Sequence, residues 1–306
     1  MAESTFDVIV IGAGITGLTA AKHAAHQGLS TAIVEALLFG GLVININELD
    51  GELHGSGIDL ASNLMLEVAD LGAVNLSETV TALARDGNFL TATTDVGSHR
   101  ARAVVIASGA KLKRLGIPGE SQFEHRGVSQ CADCDGPLYS NEDVVVVGGG
   151  DSALQEALVL ANFCRRVHLV HRGTKFRARQ HLIDAVVARS NVYPVLNSVA
   201  EEVLGAQMLT KVRVRNVGDG KASEIPCCGF FAYIGLEPNC EFAPAEIQRD
   251  ADGFLVTNDS LRTTMPGVLA AGAVRAGYGG LLSDAVAEGC LAAESASREA
   301  GARSGG

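Results

Sequence analysis

Cys131 and Cys134 stand two residues apart and are followed directly by Asp135. Thiols at this spacing can close into a small reversible disulfide ring, so the segment carries the chemistry of dithiol exchange. A structural zinc site uses the same spacing, but zinc takes four ligands and needs a second pair close by. The remaining cysteines are Cys164, Cys227, Cys228, Cys240 and Cys290, and they include no second Cys-x-x-Cys. Redox use without a metal is therefore the expectation, with the other five thiols serving as small buried hydrophobes. Seven cysteines in all, and a start that enters a strand with no charged or long apolar leader, predict a cytoplasmic, reducing compartment.

Glycine-rich loops lie on both sides of this pair. Residues 6–11 (FDVIVI) form a branched apolar run, the pattern of a strand buried on both faces, and lead into Gly12-Ala-Gly14-Ile15-Thr16-Gly17. A helix is expected from residue 15 to about residue 27. Gly12 permits the tight turn, Gly14 lets backbone approach a pyrophosphate, and Gly17 lets the helix pack on the strand with its first amides toward the phosphates. The next strand, 31–34, ends in Glu35, about 20 positions beyond the first glycine, where an acid can accept from a ribose 2′-hydroxyl. Strand, glycines, helix, strand and acid in this order predict a dinucleotide site.

The second unit repeats the device. Residues 143–147 are an apolar strand, and Gly148-Gly-Gly150-Asp151-Ser152-Ala153 opens a helix expected to reach about residue 163. The following strand, 166–170, ends in His171-Arg172, with Lys175, Arg177 and Arg179 just beyond, rather than in an acid. Cations there can neutralise the 2′-phosphate that separates NADP from NAD. Strands are also expected at 103–107 and within 266–272, and an alanine-rich helix from 282 to about 299, both of the latter returning to the first domain.

With 306 residues, 47% of them hydrophobic, two domains are expected. A net charge of −11 and the absence of tryptophan argue against nucleic acid and anionic membrane as partners. No apolar run approaches the ~20 residues that a membrane span requires.

Taken together, the first glycine loop, residues 128–136 (VSQCADCDG), the Gly148 loop with Asp151-Ser152-Ala153, His171-Arg172, and Phe176-Arg177-Ala178 resemble the low-molecular-weight thioredoxin reductases along nearly the whole chain. The resemblance implies an α/β fold of two Rossmann-like dinucleotide-binding domains, the second inserted into the first: FAD-binding segments at 1–114 and 244–306, and an NAD(P)-binding domain at 115–243 carrying the cysteines. It implies FAD contacts from Gly12, Gly14, Ile15, Thr16, Gly17, Glu35, Ala36, Gly40, Gly41, Leu42, Asn47, Ala107, Ser108, Gly109, Gly272, Ala273, Gly280 and Leu281. Contacts to NADP, with NAD as the lesser option, fall to Gly148, Gly150, Asp151, Ser152, Ala153, His171, Arg172 and Arg177. It further implies a homodimer that passes electrons from NADPH through FAD to the Cys131/Cys134 disulfide and on to a thioredoxin-like protein or other disulfide substrate. In that scheme Cys134 faces the flavin, Cys131 attacks the partner, and Asp135 handles the proton.

Several family positions are changed. Where the family places a carboxylate after the late glycine, Gly272 is followed by Ala273; Gly40-Gly41 is followed by Leu42 rather than glutamine; and a Tyr-Arg-Gln motif reads Tyr278-Gly279-Gly280. Asn45, Asn47 and Glu48 are expected to supply replacement contacts. Gly173 stands where the family has a second arginine, which predicts weaker preference for NADPH, with Lys175, Arg177 and Arg179 compensating. Two other functions stay open on the residues alone: a flavin-dependent oxidase of a small-molecule dithiol, and a flavin-poor, non-catalytic paralogue.

Overall fold

A computed structural model describes residues 4–46, residue 49 and residues 55–304. The chain divides into two compact units, Met1–Lys111 with Glu237–Gly306, and Leu112–Leu236. Along the first unit run β1 (Ser4–Ile11), α1 (Ile15–His26), β2 (Thr31–Val34), α2 (Gly57–Asp70), β3 (Val74–Leu76), β4 (Val80–Asp86), β5 (Phe89–Thr94) and β6 (Ser98–Ile106). The short strand β7 (Ala110–Leu112) follows. In the second unit come β8 (Val128–Ser129), α3 (Ala132–Asp135), β9 (Asp143–Gly148), α4 (Asp151–Leu160), β10 (Arg166–Val170), α5 (Gln180–Ala188) and β11 (Val192–Val195). Then follow β12 (Ser198–Gly205), β13 (Leu209–Asn216), β14 (Ala222–Pro226), β15 (Gly229–Tyr233) and β16 (Leu236–Pro238), and β17 (Val268–Ala270) and α6 (Leu282–Ser304) complete the first unit.

The first sheet has the order β3-β2-β1-β6-β5-β4, with β17 paired to β6. β1 pairs in parallel with both β2 and β6, and Val8, Ile9 and Val10 are fully buried. Alternation sorts them: Val8 and Val10 pack with Leu18, Ala20, Ala21, Ala292 and Ala296 of α1 and α6, whereas Ile9 and Ile11 pack on the opposite face. A β-carbon on Gly289 would lie 2.7 Å from the Thr16 carbonyl oxygen, so a glycine in α6 permits its close approach to α1. That contact holds the first turn of α1, where the glycine loop ends.

The second sheet, β11-β10-β9-β15-β8, is parallel throughout. Val144 and Val146 pack with Leu154, Ala157 and Leu160 of α4, while Val145 and Val147 pack with Ala200, Val203, Val212 and Val214 of the antiparallel β12-β13-β14 sheet. A strand covered on both faces is therefore apolar without alternation, which is why β9 was readable as a buried strand. α4 ends at Leu160, short of the expected residue 163; residues 161–163 form turns. Among the described residues no helix is long and apolar enough to cross a membrane.

Candidate active site

β8 is a two-residue edge strand beside β15, and it delivers buried Ser129 to the redox turn. Cys131 and Cys134 form a disulfide with a Cα–Cα distance of 5.3 Å. Cys131 caps α3: its Sγ accepts from the Cys134 N–H at 3.1 Å, and its carbonyl accepts from the Asp135 N–H at 3.1 Å. Ser129 Oγ donates to Asp135 Oδ2 at 2.6 Å and accepts from the Cys131 N–H at 3.2 Å. Carboxylate and disulfide are thus fastened to one hydroxyl. Cys134 is exposed, Cys131 and Asp135 are partly exposed, and all three line a cavity of about 310 Å³ with His125, Arg114 and Glu124. Beneath the turn, Tyr233 at the end of β15 and Glu156 on α4 meet at 3.3 Å.

The first glycine loop has the geometry its sequence predicts. Gly12 lies at φ 104°, and a β-carbon there would sit 2.5 Å from the Ala107 carbonyl oxygen; one on Gly17 would sit 2.0 Å from the Gly12 oxygen. Around Gly14, by contrast, the nearest atom to a β-carbon would be the Gly40 oxygen at 4.0 Å. Gly14 caps α1 with no side-chain hydrogen bond and no acid in the first turn, so the helix amides there take no side-chain partner. Glu35 receives the Ala13 N–H on Oε2 at 2.9 Å and the Leu37 N–H on Oε1 at 3.0 Å, and each carboxylate oxygen keeps acceptor capacity for a ligand hydroxyl. Gly40 N–H donates to Ala13 O at 2.6 Å, joining the segment 40–42 to the loop, and Ser108 Oγ donates to Asn239 O at 2.5 Å. Leu37, Leu38, Leu42 and Leu281 stand more than half exposed on the same unit. An open backbone cradle, a ribose acceptor and bare apolar side chains fit a flavin dinucleotide. The expected contacts of Asn47 and Glu48 lie outside the described residues, as does the side chain of Asn45.

The late segment replaces one polar group by another arrangement. Gly272, at φ 74°, lies against Thr16, and its N–H donates to Glu288 Oε2 at 2.7 Å. Glu288 is buried and paired with Arg275, whose Nε donates to Oε2 at 2.8 Å and Nη2 to Oε1 at 2.5 Å. Ala273 contributes no acceptor, and Gly280 and Leu281 are exposed.

In the second loop a β-carbon on Gly148 would meet the Tyr233 oxygen at 2.4 Å and the Ala153 side chain at 2.5 Å, whereas Gly150 faces open space. Gly150 caps α4 without a side-chain bond, again leaving a backbone cradle suited to a pyrophosphate. His171 is buried, packed against Gly149 and Gly173, and its Nε2 lies 3.1 Å from Lys175 O; burial pushes its pKa down. It therefore holds the loop rather than presenting a cation. Arg179 is engaged by Asp151 through Nε at 2.6 Å and N–H at 2.8 Å, and these bonds, the backbone one foremost, lower the Asp151 pKa. Arg172, Lys175 and Arg177 line a common depression, and none of them forms an ion pair among the described residues. Ser152 is exposed in the first turn of α4.

Cys164, Cys227 and Cys240 are buried, and burial pushes the first two thiols up to about 12, as inert core groups require. Cys228 and Cys290 depart from the expectation in being only half-buried. Among the described residues no group of three or more His, Cys, Asp or Glu side chains is placed to hold a metal.

Residues 6–289 match the family model for pyridine nucleotide-disulphide oxidoreductases. A thioredoxin reductase of Treponema pallidum is 36% identical over 298 residues, 96% of this chain and 97% of that protein. A bifunctional thioredoxin reductase/thioredoxin of Mycobacterium leprae is 36% identical over 276 residues, 88% of this chain but 60% of that protein. The crystal structure of Lactococcus lactis thioredoxin reductase in its FR conformation superposes with a TM-score of 0.89 at 32% identity, over 97% of this chain and 99% of that one. The chain therefore belongs to the pyridine nucleotide-disulphide oxidoreductases and, among them, to the low-molecular-weight thioredoxin reductases, a family that uses FAD and NADPH.

Proposed function

We propose that the first unit holds FAD on the Gly12–Gly17 loop and Glu35, that the second holds NADPH on the Gly148–Ala153 loop with Arg172, Lys175 and Arg177, and that electrons leave through Cys131 and Cys134 to the disulfide of a thioredoxin-like protein. The observation that carries this reading is the Cys131–Cys134 disulfide, joined through Ser129 to Asp135 and opening on a cavity. Bound FAD supplies a two-electron relay between the nicotinamide and the disulfide. Once the pair is reduced, the Cys131 thiolate attacks one sulfur of the partner disulfide and displaces the other. Asp135, oriented by Ser129, takes the proton of the Cys131 thiol as the thiolate forms and passes it to the departing thiolate, and the proton of Cys134 goes to the second partner sulfur in the step that follows. Cys134 then attacks Cys131 Sγ, which frees the partner as a dithiol and restores the ring.

The naming of the M. leprae relative as a reductase joined to a thioredoxin supports the partner class. Arg172, Lys175 and Arg177 favour NADPH over NADH, although Arg179 is drawn off to Asp151. A homodimer in a cytoplasmic, reducing setting completes the proposal, in keeping with its redox-labile pair.

Anaerobic titration of the FAD-saturated protein with NADPH tests the circuit. Bleaching of the flavin band with uptake of about two reducing equivalents by the flavin and about two more by the cysteine pair is the expected result. A Cys134→Ser variant keeps NADPH-driven bleaching and loses disulfide turnover. A band that NADPH does not bleach overturns the assignment of donor.

A further inference from the structure

The buried His171 imidazole stands between two glycines. A β-carbon on Gly149 would lie 2.2 Å from its Nδ1 and one on Gly173 would lie 2.8 Å from its Nε2, so opposite edges of the ring face backbone that has no room for a side chain. Nε2 lies 3.1 Å from Lys175 O; a carbonyl only accepts, so Nε2 carries the hydrogen in this contact. Phe176 packs on the ring, with 5.6 Å between centroids. The backbone of His171 is equally fixed, since its N–H donates to Val195 O at 3.0 Å and its carbonyl accepts the Ser198 N–H at 3.0 Å. Beyond the ring, Arg177 N–H donates to Gly149 O at 2.7 Å, which ties the basic segment to the glycine loop. Arg179 is held by Asp151, so Arg172, Lys175 and Arg177 are the cations that line the depression of about 250 Å³.

We propose that His171 is a positioning residue for nucleotide selectivity: its ring occupies the space that a side chain at 173 would need and grips the Lys175 backbone, so that Lys175 supplies the second cation for a 2′-phosphate. Position 173 is where the family has a second arginine, yet an arginine placed there meets the ring, and Gly149 stops the ring from backing away. Displacing the ring breaks the bond to Lys175 O and releases the segment that carries Lys175. An arginine at 173 therefore costs one cation for each one it adds. Selectivity resides in Lys175 and in the ring that holds it. Glutamine at 171 keeps a side-chain N–H for Lys175 O, whereas alanine keeps none.

The inference deepens the NADPH reading and rests on it. Isothermal titration of the full-length, FAD-saturated protein with NADP⁺ and with NAD⁺, which differ only in the 2′-phosphate, gives the ratio of the two affinities without any turnover. Lys175→Ala lowers that ratio about tenfold, the scale of one charge-assisted hydrogen bond, and leaves NAD⁺ affinity within about twofold. His171→Ala lowers the ratio by about threefold or more, and His171→Gln holds it within about twofold of the parent. Gly173→Arg does not raise the ratio, but the same arginine raises it in the His171→Ala background, where the ring is gone. If Gly173→Arg alone fails to fold, the Lys175 and His171 variants still decide. A tenfold rise in Gly173→Arg, or an unchanged ratio in either Lys175→Ala or His171→Ala, overturns the proposal while the NADPH reading stands. A parent that binds NADP⁺ no tighter than NAD⁺ sinks the NADPH reading and this inference with it.

Discussion

Ser129 Oγ lies 2.6 Å from Asp135 Oδ2 while accepting the Cys131 N–H, so a single hydroxyl couples the acid to the nucleophile's own backbone. The serine hydrogen is spent on Asp135, which fixes the rotamer of the carboxylate beside the disulfide. Asp135→Asn removes the transferable proton but leaves an acceptor for Ser129. Turnover of a protein disulfide is expected to fall about a hundredfold, at the lower bound for general acid–base catalysis, with NADPH-driven flavin reduction unchanged in stopped-flow traces. Ser129→Ala leaves the Cys131 N–H without its partner and should cost about 1–3 kcal/mol in denaturant unfolding, together with a smaller loss of turnover.

Gly149 and His171 are mutually dependent. A β-carbon at Gly149 would stand 2.2 Å from His171 Nδ1, inside a buried ring with little room to retreat. Gly149→Ala is expected to destabilise the protein by about 1–3 kcal/mol as an overpacking change and to weaken NADPH binding, because the displaced ring carries Arg172 with it. The double variant Gly149→Ala with His171→Ala should lose less stability than the sum of the single changes. Thermal unfolding and NADPH titration of the four proteins measure this coupling; strict additivity would show that the ring moves aside freely.

Both glycine loops were legible because their residues act on neighbours in sequence: Gly12, Gly14 and Gly17 shape one turn, and Glu35 follows at the end of the next strand. The Cys131–Cys134 ring was legible for the same reason. Ser129 carries no signal in the sequence although it lies only two residues before Cys131, since a serine near a thiol has no distinctive spacing. Glu156 and Tyr233 lie on different elements, 77 residues apart, and meet only because α4 packs beside β15. His171 has the residue type of a cation, yet its ring is buried against the loop. The glycines at 149 and 173 were the signal that its ring needed space. The antiparallel β12-β13-β14 sheet left a weaker trace, because its faces alternate and cross-strand pairs such as Lys211–Glu224 and Arg215–Glu201 cover the outside.

Acid stability should depend on Glu78. Its side chain accepts the Thr94 hydroxyl at 2.6 Å and lies 2.8 Å from His99 Nε2. The Thr94 bond foremost, opposed by burial and helped by His99, holds its pKa below the ordinary glutamate range. A depressed folded-state pKa contributes stability above the unfolded value, and that contribution disappears as pH falls through the folded one. Glu78→Gln removes the titration but keeps an acceptor for Thr94. Its unfolding free energy should lie below the parent's at neutral pH and converge with it as pH falls below the ordinary glutamate pKa. Parallel curves through that range would show that Glu78 does not carry the acid limb.

Ala273→Asp should tighten FAD. The neighbouring carboxylate, Glu288, cannot substitute for the absent acid, because Gly272 N–H and two nitrogens of Arg275 already occupy it in a buried site. Arg275 is equally committed: its third nitrogen, Nη1, donates to Ala276 O at 2.8 Å. A new aspartate at 273 therefore meets no idle guanidinium to capture it, and its half-exposed position leaves it available to a ligand hydroxyl. One added hydrogen bond to a charged acceptor is worth about 1.5 kcal/mol, or roughly tenfold in dissociation constant. Fluorescence titration of the apoprotein with FAD reads this directly. Tighter binding with an unchanged melting temperature of the apoprotein places the aspartate on the ligand. A raised melting temperature with unchanged affinity would mean that it has instead drawn Arg275 away from Glu288, and that the late turn is built to do without an acid.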